Sequence, residues 1–292
     1  MKAAAENAAI RLTGHGFRLL VAREFLKYTK AAGLSDAIGF DHLMETAQRV
    51  PGGRSSNRIL ESGGVVIRLR PNRHGGVLAR FLGDRFLSPI RPFREFQTSV
   101  ALRERGIPLP TPILAVGRRR GLFWRSAFGS IDRADARDGA QWLQSRPSAI
   151  ELRIACIAFG RALRLFHDAG GLHGDLHLRN VLIEFKNEKQ TNESLRCILI
   201  DLDRTRLVEC ASPRQRTREL MRFVRSLEKA DRGDLASRRF RALALSAYCA
   251  GDRGLRRSIL RWGALEGLRV RRHRLGWWIG NRIGLVNELA GR

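Results

Sequence analysis

The spacing of apolar residues changes character twice along this chain. Residues 1–50 mix apolar and polar positions and read as a helical extension. At Pro51 the turn-forming run Pro51-Gly52-Gly53-Arg54-Ser55-Ser56-Asn57 opens a different texture of short β-like stretches, Arg58 to Leu60 and Val65 to Leu69, closed by turn residues from Pro71 to Gly76. A helical pattern from Arg94 to Arg105 stops at Gly106-Ile107-Pro108, and Pro112 to Val116 and Gly121 to Trp124 read as two more strands. The second half is mainly helical. Ile150, Ile154, Ile157, Ala158, Ala162, Leu165 and Phe166 have the spacing of a helix buried along one face, ended by Ala169-Gly170-Gly171. Val181 to Phe185 and Cys197 to Leu202 then read as two strands joined by a polar loop, and helical spacing returns from Pro213. These patterns predict an α+β fold in two lobes, strand-rich over residues 51–130 and helical over 131–292.

The stretch that carries chemistry lies between the long helix and the first of the later strands. Leu172-His173-Gly174-Asp175-Leu176-His177-Leu178-Arg179-Asn180 is an H-x-D-L-x-x-x-N segment, and Ile198-Leu199-Ile200-Asp201-Leu202-Asp203 downstream is an apolar strand ending in carboxylates. Phosphoryl transfer from a nucleotide needs one carboxylate to orient the attacking hydroxyl and accept its proton. It also needs an amide oxygen and a second carboxylate to hold Mg2+ on the phosphates. Asp175 fits the first role, Asn180 and Asp201 the others. The five-residue spacing lets one loop aim Asp175 and Asn180 into a common cleft. His173 is expected to brace that loop, and His177 to be a solvated loop residue.

On these residues the chain resembles the protein-kinase-like superfamily. More narrowly it is similar to the lipopolysaccharide core kinases that act on 3-deoxy-D-manno-octulosonic acid (Kdo), over about residues 50–210. Ile200-Asp201-Leu202-Asp203-Arg204 is similar to that family's I-D-F-D-R. Ile67-Arg68-Leu69-Arg70 followed by Arg73-His74-Gly75-Gly76 is similar to an L-R-x-Y-R-R-G-G segment, with His74 as an interruption. Arg94-Glu95 and Ile107-Pro108-Leu109-Pro110-Thr111-Pro112 resemble its R-E helix and L-P-V-P-x-P features. The resemblance implies a two-lobed protein-kinase-like fold and ATP and Mg2+ as cofactors. It implies a sugar acceptor, either Kdo-lipid A or core oligosaccharide, and a place on the cytoplasmic face of the inner membrane. There is no G-x-G-x-x-G; only Gly52-Gly53 stands where a phosphate-covering turn belongs. The ATP-contacting lysine has no lysine counterpart, and Arg68 is the expected substitute, with Glu95 as its helix partner. Asp203 replaces the glycine of a D-F-G, which departs from activation-loop switching of the protein-kinase type.

Charge adds a partner. Lys and Arg number 54 against 28 Asp and Glu, a formal charge of +26, which attracts polyanions. Arg271, Arg272 and Arg274 beside Trp277 and Trp278 suit an interfacial segment on an anionic membrane, in preference to nucleic acid. Core tryptophans with solvated arginines give the same pattern. Cys156, Cys197, Cys210 and Cys249 form no C-x-x-C pair, which argues against zinc and a disulfide framework. Glu6 and Arg11 break any signal-peptide core, and no window is apolar enough to span a membrane. Two competing readings remain: a heptose or other small-molecule kinase of the same fold, and a non-catalytic pseudokinase that docks membrane or RNA.

Overall fold

The computed structural model describes residues 9–50, 57–74, 82–185, 195–230 and 238–266. Its first feature corrects the sequence reading. Residues 9–22 are not helical; they form a hairpin, β1 (Ala9–Gly14) and β2 (Phe17–Ala22). Ile10 and Leu12, then Phe17, Leu19 and Val21, alternate with other residues at period two around a Gly14-His15-Gly16 turn, the pattern of strands with one face on a core. Helices follow, α1 (Leu26–Ala31) and α2 (Ala37–Thr46), the latter capped by Asp36, whose side chain accepts from Gly39 N at 2.9 Å.

The hairpin joins β3 (Gln48–Val50), β4 (Asn57–Ser62), β5 (Val65–Pro71), β6 (Pro112–Arg120) and β7 (Phe123–Ile131) in one antiparallel sheet of order β1-β2-β6-β7-β5-β4-β3. One face packs Leu19, Val21, Ile67, Leu69, Leu114 and Val116 against Phe40 and Leu43 of α2. The other packs Leu20, Ala115 and Phe128 against Phe96 of α3 (Ile90–Glu104). Helix α3 begins four residues before the predicted Arg94, since Pro92 is tolerated in a first helical turn, where its missing N–H costs nothing. Strands β6 and β7 also run longer than expected, and Gly121 and Leu122 are the turn between them.

A short linker, residues 132–136, leads into the helical half. It contains β8 (Arg137–Asp138), α4 (Gly139–Gln144), α5 (Ala149–Asp168), β9 (Gly171–Leu172), β10 (Val181–Phe185), β11 (Leu195–Leu199), β12 (Arg206–Leu207), α6 (Pro213–Ala230) and α7 (Arg238–Cys249). A further helix, α8, covers 253–266 of the described residues. Ser148 and Glu151 form a reciprocal capping box that starts α5. The buried face of α5 differs from the predicted stripe: Leu152, Ala155, Phe159, Gly160, Leu163 and His167 are buried beside Ile154 and Phe166, while Ile150 and Leu165 are exposed. The helix is covered by both α7 and β11, so its apolar contacts are not confined to one narrow stripe. An apolar cavity of about 340 Å³ lies among these helices, with Trp142, Phe159, Leu220, Phe240 and Ile259 in its walls. No helix among the described residues is long and apolar enough to cross a membrane.

Gly160 is where α5 and α7 touch. A Cβ there would lie 2.4 Å from Ala244 O and 2.9 Å from Tyr248 N. Gly160→Ala should therefore destabilise by about 1–3 kcal/mol despite alanine's better helix propensity. Gly254→Ala in α8, where only Asp252 Oδ1 lies within contact range at 3.5 Å, should be neutral or slightly stabilising. Urea denaturation of the two variants checks the contrast.

Candidate active site

Strand β5 sets the upper wall of the site. Its alternation sends Ile67 and Leu69 into the core on the α2 side and Arg68 and Arg70 to the opposite side, toward α3 and the helical lobe. Both arginines thus share a face, and their partners distinguish them. Arg68 Nε donates to Asp132 Oδ1 at 2.5 Å, at the start of the inter-lobe linker. Arg70 Nη2 donates to Glu95 Oε2 on α3, and its Nη1 to Asp201 Oδ1 at 2.5 Å. The expected Arg68–Glu95 pair is therefore corrected: Glu95 pairs with Arg70, one strand period further on. Gly52 and Gly53 lie outside the described residues.

Glu95 is the joint. Its Oε2 takes Arg70 and its Oε1 accepts Leu202 N at 3.2 Å, so one buried carboxylate ties the sheet to the segment that follows β11. Burial pushes Glu95 up to about 7, opposed by Arg70 and reinforced by Asp201 and Asp203. Burial also pushes on Asp201, but Arg70 outweighs it and holds that carboxyl below its ordinary value. Asp203 is raised, by burial and by the nearby Asp201 charge. Asp201 itself sits at φ 64°, ψ 60°, a left-handed conformation uncommon for a residue with a Cβ and met often at functional sites.

The segment from His173 to Asn180 forms the floor. Asn180 Nδ2 donates to Asp175 O at 3.0 Å, and Ile200 N donates to Asn180 O at 3.0 Å, so the loop is closed on itself and on the strand leading to Asp201. The structure thus brings Asp175, Asn180 and Asp201 together. Asp175 is half-exposed, and Arg204 Nη1 lies 3.8 Å from its Oδ2. Gly174 needs its φ of +76°, and a Cβ there would sit 2.7 Å from Arg204 O, so the loop and the turn after β11 are pressed together.

The sequence reading missed the group that holds this loop from below. Glu219 of α6 accepts His173 N at 2.8 Å on Oε2 and Gly174 N at 2.6 Å on Oε1. His167 Nε2 lies 3.2 Å from Oε2, and its Nδ1 lies 2.7 Å from the Tyr248 hydroxyl. The ionised Glu219 can only accept, so the proton of the neutral imidazole is on Nε2, and Nδ1 accepts from the Tyr248 hydroxyl, which itself accepts from Arg216. His173 Nε2 likewise must carry the proton, since it faces Ile200 O at 2.9 Å. Its bracing role is structural. The signal for Glu219 was present: it is the one acid between Pro213 and Leu227, among Arg214, Arg216, Arg218, Arg222 and Arg225. Burial lowers both histidines against the pull of Glu219. Glu219 is held below its ordinary value by His167 and the two loop amides, although burial works the other way.

On this fold, a cationic side chain paired with a helix glutamate above an H-x-D-L-x-x-x-N loop and an adjoining aspartate defines a kinase of the protein-kinase-like class. The lipopolysaccharide kinase (Kdo/WaaP) family matches residues 45–246, and the chain belongs to it. A 3-deoxy-D-manno-octulosonic acid kinase of Stenotrophomonas maltophilia strain R551-3 is 30% identical over 216 residues, spanning 72% of this chain and 80% of that one. Its namesake in Xylella fastidiosa strain M23 is 31% identical over 182 residues, 61% of this chain and 68% of the relative. The solved structure of WaaP in complex with acyl carrier protein superposes with a TM-score of 0.54 at 18% identity, covering 85% of this chain and 98% of that chain.

Two outcomes follow from this network. Arg70→Met strips the counter-ion from two carboxylates and should destabilise by about 3 kcal/mol, as breaking a buried pair does. Arg68→Met, whose side chain is one-third exposed, should cost about 1 kcal/mol. Equal losses in chemical denaturation would contradict the placement of the joint. The second outcome is pH-dependent. Because the folded pKa of His167 is depressed, its contribution is complete above about pH 6.5 and is lost as pH falls through the lower folded value. Glu95, raised to about 7, acts in the opposite sense, its contribution fading as pH rises through that value. Comparison with His167→Gln subtracts it. The stability gap between parent and variant should shrink from pH 7.5 to 5.5, and a constant gap would refute a buried neutral His167.

Proposed function

We propose that this kinase transfers the γ-phosphoryl group of ATP to a hydroxyl of Kdo in the inner core of lipopolysaccharide. The observation that carries the reading is the Arg70–Glu95–Asp201 joint, set directly above the loop of Asp175 and Asn180. In the proposed reaction Arg70 contacts the nucleotide phosphates as the lysine of other kinases does, its fork matching phosphate oxygens. Arg68, tied to the linker by Asp132, stays a second candidate nucleotide contact on the same strand face. Asp175 accepts the proton of the sugar hydroxyl as its oxygen bonds to the γ-phosphorus, and the bond from that phosphorus to the β–γ bridging oxygen breaks to release ADP.

Asn180 and Asp201 supply hard oxygen donors from one neutral and one ionised side chain, a set that suits Mg2+ shared with substrate phosphates better than a closed protein cage. Bound there, Mg2+ would neutralise charge on the β- and γ-phosphates. A lipid-linked acceptor places the protein on an anionic membrane surface, which the charge of +26 supports. The segment holding Arg271, Arg272, Arg274, Trp277 and Trp278 lies outside the described residues. Trp262, upstream of it, is half-buried in α8 with the Arg214 guanidinium 5.1 Å from its ring centre, an intramolecular cation–π contact.

The test is direct. Purified protein with labelled ATP and Mg2+ is offered Kdo-lipid A, a heptosylated core acceptor and RNA. Label is expected in Kdo-lipid A alone, and Asp175→Asn should lower turnover about 100-fold or more while keeping the fold and nucleotide binding. Transfer to the heptosylated core alone would move the protein to a heptose kinase. An Asp175→Asn variant as fast as the parent would remove Asp175 from the role of base.

A further inference from the structure

The cations around the loop differ in how fully they are engaged. Arg70 is taken up by Glu95 and Asp201. Arg222 donates to Gly174 O. The Arg91 guanidinium lies over the Phe86 ring, 5.3 Å from its centre. Arg204 is different. Its backbone is pinned by the close approach to Gly174 and by Thr205 N donating to Leu202 O at 3.0 Å. Its side chain is 57% exposed and reaches toward one partner, Asp175 Oδ2, at 3.8 Å. Asp203 is the other carboxylate whose charge it feels. A guanidinium at that distance, in that much water, holds its partner weakly. It is a fork of hydrogen-bond donors, fixed at its base, loosely held at its tip and aimed at the carboxylate proposed to take the acceptor's proton.

We propose that Arg204 binds the carboxylate of the acceptor sugar and thereby selects a sugar acid over a neutral sugar. The inference rests on the acceptor reading above, in which the substrate is a ring bearing both a hydroxyl and a carboxylate. A carboxylate entering beside Asp175 gives Arg204 a planar partner it can grip with two parallel hydrogen bonds, in place of the long contact to Oδ2. The exchange does two things. It anchors the acceptor next to the loop, and it draws the guanidinium off the oxygen that must face the sugar hydroxyl. A neutral acceptor does neither, because Arg204 then stays on Asp175. Arg204 is a positioning and specificity residue in this scheme; the proton still goes to Asp175.

The experiment compares the parent chain, Arg204→Gln and Arg204→Lys on Kdo-lipid A and on the same acceptor with its Kdo carboxyl methyl-esterified. The parent should prefer the acid by about 30-fold in kcat/KM, the scale of one charge-assisted contact at 1.4 kcal/mol per tenfold. Arg204→Gln should bring that ratio to about one, through the acceptor KM, with the KM for ATP within about twofold of the parent. Arg204→Lys should restore part of the preference, as a point charge without the fork. Thermal melting and calorimetric MgATP binding of each variant keep a folding defect from being read as lost selectivity. Binding of free Kdo monosaccharide, tighter to the parent than to Arg204→Gln, gives a readout independent of turnover. A parent that phosphorylates acid and ester equally, or an Arg204→Gln variant that keeps the parent's ratio, overturns the role of Arg204 and leaves the kinase reading intact. A parent that phosphorylates neither while phosphorylating another acceptor overturns the Kdo reading and this inference with it.

Discussion

The buried carboxylate of Glu95 sits where the two halves of this protein meet. One oxygen holds Arg70 of the sheet and the other holds the backbone amide of Leu202, while Arg70 reaches on to Asp201. Three elements far apart in sequence thus meet at one functional group. The arrangement is costly to bury and survives because each charge has a partner and a hydrogen bond. Without Glu95 the amide of Leu202 would lose its acceptor, and Arg70 would keep Asp201 as its carboxylate partner.

The lower half of the site is built on the same physical rule with different residues. Glu219 gathers the backbone amides of His173 and Gly174, and His167 and Tyr248 complete its surroundings. The loop therefore receives its shape from below, by hydrogen bonds to backbone, and presents its side chains upward. Such a division leaves Asp175 half-exposed and weakly held, while the amides that shape its loop are held by the buried Glu219. Arg204 extends the pattern at the rim, a cation fixed at its backbone and loosely held at its tip.

An arginine in contact with the helix glutamate sets what the upper wall can do. A lysine offers one point charge; Arg70 spans Glu95 and Asp201 at once with separate nitrogens. The strand can therefore hold the helix glutamate and the aspartate of the next segment in one planar array. That economy is in keeping with a chain rich in arginine, where the same side chain also closes the lobe linker at Asp132 and stacks on Trp262.

The amino-acid sequence by itself determined the chemistry of the loop. Asp175 and Asn180 lie within six residues, so their common destination follows from local geometry, and the strand before Asp201 announces itself by its unbroken apolar run. The family resemblance was legible for the same reason, being carried by short contiguous motifs. What the sequence left open were choices between equivalent local patterns. Arg68 and Arg70 share one strand face, and only the docking of α3 decides that Glu95 meets the second. The α5 stripe was misphased because covering by α7 and β11 spreads burial around the helix, bringing Gly160 and His167 inside and leaving Ile150 and Leu165 out. The β1–β2 hairpin, whose alternation is short, declares itself as sheet by pairing with β6. Glu219 shows the limit most plainly. A lone acid on an arginine-rich helix has the sequence appearance of a solvated surface residue, and the long-range fold alone buries it beneath a loop some 45 residues earlier in the chain.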